Sequence, residues 1–288
     1  MSYEPANVDQ SALVASREQA WMRPVHQITL ARPISLPLHL HPYLVALNGA
    51  SDPLLAATVE MALDELSLAQ ADGVAGTGAS AHRIGGWLLS SQTPDELAQA
   101  ISALMQVNTE ASTTARYQRL ADRRALDLLL DVVGEARIAT HLGRIQRWCY
   151  LDPCRKLRQL RSTSEAATPL RLSRTEWASF IKGDLLHPTV ARWLGEQPAT
   201  SRHATQSCYA KSTVALEQAD AAMRRWPQRF ANASDRIAWA VLTLLHGDIQ
   251  RMPAIVASLD AATQPGEPLE TLNALSPLLH AMCLKATS

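Results

Sequence analysis

Short apolar runs alternate with longer amphipathic segments between residues 40 and 161, and this alternation is the feature that most limits how the chain folds. Runs of four to eight apolar residues bounded by turn signals are typical of buried strands, whereas spacings of three and four residues indicate helices. The predicted strands are 43–47, 87–89, 117–121, 145–151 and 156–160. The pattern predicts an α/β (mixed α+β) lobe.

Only helical patterns follow residue 161, and the polar stretch from Ser162 to Thr168 is typical of a linker. We therefore expect two domains, an α/β lobe over residues 1–161 and an all-helical lobe over residues 162–288. Residues 1–35 have little periodicity and are expected to form an irregular lead-in.

Four helix starts are marked by local chemistry. Asp52 before Pro53 and Asp122 before its apolar repeat are predicted N-caps, because a short acid accepts hydrogen bonds from the first amide groups of a helix. Thr93 with Glu96 and Ser173 with Glu176 have the spacing of capping boxes.

Composition limits the possible partners. The chain has 288 residues, with 27 Lys and Arg against 27 Asp and Glu, so net charge gives no reason to expect nucleic acid or an anionic membrane as a partner. No apolar run approaches the roughly 18 residues of a membrane span. The start has no signal-peptide pattern and the four cysteines are irregularly spaced, so we expect a cytoplasmic protein with reduced thiols.

Motifs for catalysis or cofactor binding are missing from the sequence. Gly76-x-Gly78 lacks the spacing of a phosphate loop, and neither G-x-S-x-G nor H-E-x-x-H occurs. His39 and His41 have no third ligand nearby in sequence, so a metal site is not expected. We expect a protein that is not an enzyme and has no cofactor, metal or small-molecule substrate.

Two groups of residues are structural or binding candidates. Asp122-Arg123-Arg124 is either the anchor of a charged network or a cap followed by two solvated arginines, and Trp148 is expected in the core. The chain has seven tryptophans and two phenylalanines, and tryptophan is a favoured interface anchor. Trp177 and Trp193 are candidate partner-binding residues, because Pro188 is expected to break the helix between them. The alternative is that both pack inside the helical lobe.

Several segments of the α/β lobe resemble, in order, a known family. They are His41–Leu47, Asp52–Leu55, Gly86–Ser91 with Pro94–Val107, Leu120–Leu126, and Leu142–Trp148. This succession is similar to the effector adaptors, or effector chaperones, of type VI secretion, first catalogued as a domain of unknown function. Arg123 takes the place of a proline in the family's pattern.

The resemblance implies an adaptor that binds a toxic effector polypeptide in the bacterial cytoplasm and helps to load it onto a VgrG or PAAR spike protein. It implies no cofactor. We expect the helical lobe to choose the cargo, since specificity depends on differences in contact surface. Two alternatives stay open: an α/β enzyme with an unrecognised site, and an immunity protein that neutralises a toxin.

Overall fold

The chain folds into a mixed α+β structure of helices and small sheets. The computed structural model describes residues 10–30, 37–75, 82–110, 112–166, 168–197, 207–261 and 270–287. The helices are α1 Gln10–Trp21, α2 Pro53–Ala75, α3 Pro94–Leu104, α4 Arg123–Val133, α5 Glu135–Ala139, α6 Arg174–Phe180, α7 Gly183–Glu196, α8 Cys208–Arg225, α9 Ala233–His246, α10 Pro253–Asp260 and α11 Leu272–Thr287. None of the described helices is long and apolar enough to cross a membrane.

Eight short strands form three sheets within the described ranges. The strands are β1 Val25–Gln27, β2 Tyr43–Val45, β3 Trp87–Ser90, β4 Gln106–Thr109, β5 Ser112–Tyr117, β6 Ile145–Leu151, β7 Leu157–Arg161 and β8 Leu170–Leu172. β1 pairs with β2, the second sheet has the order β3-β6-β7, and the third has the order β5-β4-β8. All pairs are antiparallel except β4 with β8.

Residues 10–30 correct the expectation of an irregular lead-in over residues 1–35, because they contain α1 and β1. Polar contacts hold α1 in place: Trp21 Nε1 donates to the Tyr43 hydroxyl at 3.0 Å, and Arg17 stacks 4.3 Å from the centroid of the same ring. No side chain of α1 is buried, so the helix has no apolar stripe for a periodicity argument to detect. Residues 1–9 and 31–36 lie outside the described residues.

The third sheet was largely missed by the sequence analysis. The predicted strand 117–121 lies too late, since the strand is β5 and ends at Tyr117. β4 continues directly from α3, and β8 occurs after residue 161, where only helices were expected. These strands are short, and β8 pairs with β4 across more than 60 residues, which local patterns do not reveal.

Two compact units are present, and the division expected between residues 161 and 162 is not reproduced. The first unit comprises 1–64, 82–152 and 156–180, and the second comprises 65–81, 153–155 and 181–288. β8 and α6 therefore belong to the first unit. Residues 76–81, which include the predicted Gly76-x-Gly78 loop, lie outside the described residues.

The core of the first unit forms between helices α3 to α5 and the inner faces of the second and third sheets. Its fully buried members include Met105, Leu126, Leu142 and Tyr150. Trp148 is 4% exposed, which confirms its predicted place in the core. Full burial of one such side chain contributes about 1.5–3 kcal/mol, so these residues account for much of the stability of the unit.

Two adjacent glycines allow a close approach of backbone segments in the first unit. A Cβ on Gly85 would lie 2.4 Å from the carbonyl oxygen of Ala121. Gly86 has a φ of +145°, and a Cβ there would lie 2.5 Å from the carbonyl oxygen of Cys149. A side chain at either position collides with backbone, so the entry to β3 requires glycine.

The second unit is built around α9, whose Trp239 is fully buried between Trp226 and Phe230. Two buried charged residues complete this core. Arg229 donates to the carbonyl oxygens of Leu259 and Ala261 at the end of α10, and to that of Glu270. The first two bonds satisfy carbonyl groups that have no hydrogen-bond partner within the helix. Asp235 accepts from three backbone amides, those of Ala231, Asn232 and Asn273.

The helix starts follow the predicted local chemistry. Thr93 and Glu96 form the expected capping box at α3, and Ser173 and Glu176 exchange the corresponding hydrogen bonds at α6. Asp52 accepts from the Leu54 amide at 3.0 Å. These positions are set by neighbours in sequence, which is why they were predictable.

Asp122 caps α4 by accepting from the amide of Arg124 at 3.0 Å, and its carboxylate also binds the Arg124 guanidinium at 2.7 Å. We predict that Asp122→Ala lowers the free energy of unfolding by about 0.5–2 kcal/mol. Asp122→Asn is the matched control, since asparagine retains the cap but not the charge, and it should lose less. Urea denaturation of both variants measures the difference. An Asp122→Ala variant with the unfolding free energy of the wild type would contradict the capping role of Asp122.

Candidate protein-binding surface

The hairpin formed by β6 and β7 carries an unusual concentration of positive charge. Residues 144–161 contain six basic side chains and one carboxylate, Asp152, in a chain whose charges balance overall. Asp152 is buried at 8% exposure and accepts from the amide of Lys156. The exposed surface of the hairpin is therefore locally basic, although the chain as a whole is neutral.

Strand register brings two of these arginines side by side. Arg147 on the central strand β6 lies opposite Leu89 of β3 on one side and Arg161 of β7 on the other. All three side chains are exposed, Leu89 by 51%. We call this row of Leu89, Arg147 and Arg161 the arginine patch.

A β-bulge places one extra residue, Gln146, in β6 beside Arg147. The register of β3 and β6 shifts between Leu89 and Ser90, and at this point Gln146 and Arg147 are both exposed although they are consecutive. A bulge adds one residue to a strand and redirects its side chains. It allows Ile145 and Trp148 to remain buried on either side.

The arginine patch is electrostatically unfavourable in isolation. Like charges directly opposite each other on neighbouring strands destabilise a sheet, and neither Arg147 nor Arg161 forms an ion pair with a described residue. Charged side chains commonly protect edge strands from aggregation, which explains Arg161 on β7. That explanation does not cover Arg147, because β6 is the central strand.

The opposite face of the same sheet is anchored by a hydrogen bond of 2.6 Å from the Tyr150 hydroxyl to Asp127 Oδ1 on α4. Burial raises the pKa of Asp127 to about 6, against the opposing effect of this hydrogen bond. Burial and the adjacent Asp127 carboxylate likewise raise the pKa of Tyr150. This pair holds the central strand, and hence Arg147, in a fixed position.

Asp122, Arg123 and Arg124 lie at the start of α4. Arg123 is 2% exposed and donates to the carbonyl oxygen of Ala62 at 2.7 Å, with His82 Nδ1 at 3.0 Å. Two solvated arginines, one of the expected alternatives, are therefore excluded. The three residues form a structural network in the first unit, and Trp148 belongs to the core beside it.

The predicted binding role of Trp193 is inconsistent with its burial. Trp193 is 3% exposed, and Lys211 Nζ lies 5.9 Å from its ring centroid. Pro188 does not break the helix, since α7 continues from Gly183 to Glu196. Pro188 is the sixth residue of this helix, so it has no amide to donate to the carbonyl group of Asp184, and the helix continues past it without that hydrogen bond.

Trp177 is half-buried and stays a candidate binding residue. Its ring stacks on Phe180 with centroids 6.3 Å apart, and Arg116 lies 5.2 Å from the ring centroid. Both contacts are made within the first unit.

His39 and His41 lie near α1, where their carbonyl groups accept hydrogen bonds from Arg17. In the described part of the chain, no group of three or more His, Cys, Asp or Glu side chains could hold a metal ion.

Comparison of the chain with protein-family models, with curated proteins and with solved structures found no match. The resemblance to effector adaptors therefore stays a prediction. The arginine patch was missed because net charge was considered for the whole chain. A local count over residues 144–161 would have found its basic character, but not the pairing of Arg147 with Arg161, which depends on strand register.

We predict that Trp193→Ala lowers the free energy of unfolding by about 3–5 kcal/mol, because it removes a buried aromatic side chain and leaves a cavity. Trp193→Phe is the matched control and should lose clearly less. Urea denaturation measures both. A variant of unchanged stability with weakened partner binding would instead support the original interface prediction.

Asp127 makes stability depend on pH. Because its pKa is raised to about 6 from an ordinary 3.8, the folded state holds the proton more tightly, and its contribution to stability is lost as pH rises through 4 to 6. The shift corresponds to at most about 3 kcal/mol. The groups that act on Asp127 are Tyr150, Asp152, Arg158 and Asp131.

We predict that Asp127→Asn does not lose stability through this titration. The unfolding free energy of the variant, relative to that of the wild type, should therefore increase from pH 4 to pH 7. The amide oxygen introduced by this substitution can still accept from the Tyr150 hydroxyl, which keeps the strand anchored. Urea denaturation at several pH values measures the difference, with Glu110→Gln as the control, since Glu110 is an exposed carboxylate of the first unit and is not among the groups that act on Asp127. Parallel profiles for wild type and Asp127→Asn would show that the assignment is wrong.

Proposed function

We propose that this protein is a non-enzymatic adaptor of type VI secretion, which binds an effector polypeptide in the bacterial cytoplasm and helps to load it onto a VgrG or PAAR spike protein. The support from sequence is the ordered set of motifs between His41 and Trp148. The support from geometry is the arginine patch, an exposed surface suited to a polypeptide partner.

The pairing of Arg147 with Arg161 is the observation that carries the proposal. A carboxylate placed between the two guanidinium groups would relieve their repulsion and accept hydrogen bonds in the forked geometry that arginine favours. Leu89 beside them offers apolar contact area. We infer that the partner presents an acidic segment with an apolar residue next to its carboxylate.

Polypeptide is favoured over nucleic acid as the partner. Arginines also bind phosphate, but proteins that contact the phosphate backbone of a nucleic acid usually carry a net positive charge over a wide surface. This chain has equal numbers of acidic and basic residues, and the arginine patch is confined to one row of a three-stranded sheet. A small basic area within a neutral surface matches a discrete acidic epitope better.

An enzyme is the alternative with a specific observation in its favour, since a carboxyl group with a pKa near 6 is typical of catalytic sites. The Tyr150 hydroxyl nevertheless donates its hydrogen bond to Asp127 Oδ1, and Tyr150 lies in the core. We therefore assign the pair a structural role. An immunity protein would use the same binding surface and differ only in what binding achieves.

We predict that Arg147→Ala weakens effector binding about tenfold, a typical loss for an arginine in an interface. Arg161→Ala should act similarly, and Arg147→Lys should restore part of the affinity because it keeps the charge but not the fork. Binding to a polypeptide that co-purifies with the wild-type protein from its native host is measured by calorimetry at two salt concentrations. The wild type should weaken at high salt more than Arg147→Ala does.

Arg174→Ala is the matched control, since Arg174 is an exposed arginine in the same unit but outside the patch. Equal affinities for wild type, Arg147→Ala and Arg161→Ala would refute the patch as the binding surface. Tight binding of an unrelated oligonucleotide that Arg147→Ala abolishes would favour nucleic acid as the partner instead.

A further inference from the structure

Two cysteines of the second unit lie closer together than non-bonded sulfur atoms normally approach. Cys154 Sγ and Cys208 Sγ are 2.8 Å apart, compared with about 2.05 Å in a disulfide bond. The two residues are 54 positions apart in sequence, so no local constraint brings them together. Their contact is a product of the fold.

The turn that carries Cys154 is held by several contacts. Its neighbour Pro153 accepts a hydrogen bond from Gln70 Nε2 at 3.3 Å, and Arg155 donates to Ser67 Oγ at 3.0 Å. Arg155 also has a φ of +63°, a left-handed conformation that is uncommon for residues other than glycine. These restraints fix the direction of the Cys154 side chain.

Cys208 is held equally firmly at the first position of the 18-residue helix α8. Ser207 caps this helix by accepting from the amides of Tyr209 and Ala210. Cys208 is 6% exposed, whereas Cys154 is half-buried. A small reagent therefore reaches Cys154 more easily, with Cys208 directly behind it.

The other two cysteines differ in setting. Cys283 is fully buried in the core of the second unit, and burial raises the pKa of its thiol, which makes it less reactive. Cys149 lies on β6 in the first unit. Among the described cysteines, a sulfur–sulfur contact is found for Cys154 with Cys208.

We propose that Cys154 and Cys208 form a reversible oxidation site, in which a low-molecular-weight disulfide such as glutathione disulfide converts the two thiols into one disulfide bond. The deprotonated Cys154 sulfur attacks one sulfur of the small disulfide, whose S–S bond breaks and releases one thiolate. The deprotonated Cys208 sulfur then attacks Cys154 Sγ, breaks the mixed disulfide and releases the second thiolate. The two released thiolates take up the two protons, so the cysteines are oxidised and the small disulfide is reduced.

Oxidation would tie the turn around Cys154 to the start of α8. Closing a loop of this length restricts the unfolded chain and stabilises the fold. The proposal is independent of the adaptor function, because it rests on thiol geometry within the second unit. It also revises the expectation that all four cysteines are simple reduced thiols.

The test is thiol counting on the full-length protein in glutathione buffers of increasing oxidised fraction. Samples are quenched in acid, denatured and treated with N-ethylmaleimide, and the mass of the intact protein is then measured by mass spectrometry. We expect four maleimide additions in the reduced protein and two in the oxidised protein, since the chain has four cysteines. The melting temperature should rise by about 5 °C or more on oxidation.

Peptide mapping identifies the bond, and variants exclude other pairings. Trypsin leaves Cys149 and Cys154 in one peptide, so mapping is done on Cys149→Ser, where the peptide 148–155 should be linked to 203–211. Cys154→Ser should give three additions under all conditions, and Cys208→Ser should stop at a glutathione adduct on Cys154 without an internal bond, whereas Cys283→Ser should still form the bond. Four additions in the wild type at every ratio, a stable glutathione adduct on the wild type without an internal bond, or an internal disulfide that still forms in Cys208→Ser would overturn the proposal.

Discussion

Burial of one face of strand β6 is the constraint on which the first unit depends. Trp148 and Tyr150 point into the core, and Tyr150 is further fixed by its hydrogen bond to Asp127 on α4. Because successive side chains of a strand point to opposite faces, these two residues force Arg147 and Cys149 to the other side. The exposed arginine on the central strand is thus a consequence of how the core is filled, and the rigidity of the core is transmitted to the surface.

Sequence reasoning succeeded where structure is determined by near neighbours. The helix caps at Thr93, Asp122 and Ser173 and the strands predicted over 145–151 and 156–160 are present, because each depends on residues within a few positions. It failed for α1, which polar contacts hold without an apolar stripe, and for β4 and β8, which pair across more than 60 residues. The candidate surface shows the same limit, since composition suggested Trp193 while strand register placed Arg147 beside Arg161.

The arginine patch has an energetic meaning beyond its charge. Arg147 and Arg161 lie opposite each other on neighbouring strands, and like charges in this arrangement make a sheet less stable than a neutral pair does. Under the proposed function, a partner carboxylate would remove that penalty on binding, and part of the affinity would come from relief of repulsion already present in the free state. Such a surface would also discriminate, because a partner with a basic or purely apolar segment would leave the repulsion in place.

The interleaving of the two units along the chain limits how this protein can change over evolutionary time. The polypeptide passes between the units after residues 64, 81, 152, 155 and 180, and the first of these points lies inside helix α2. Transfer of one contiguous segment therefore cannot carry either unit intact to another protein.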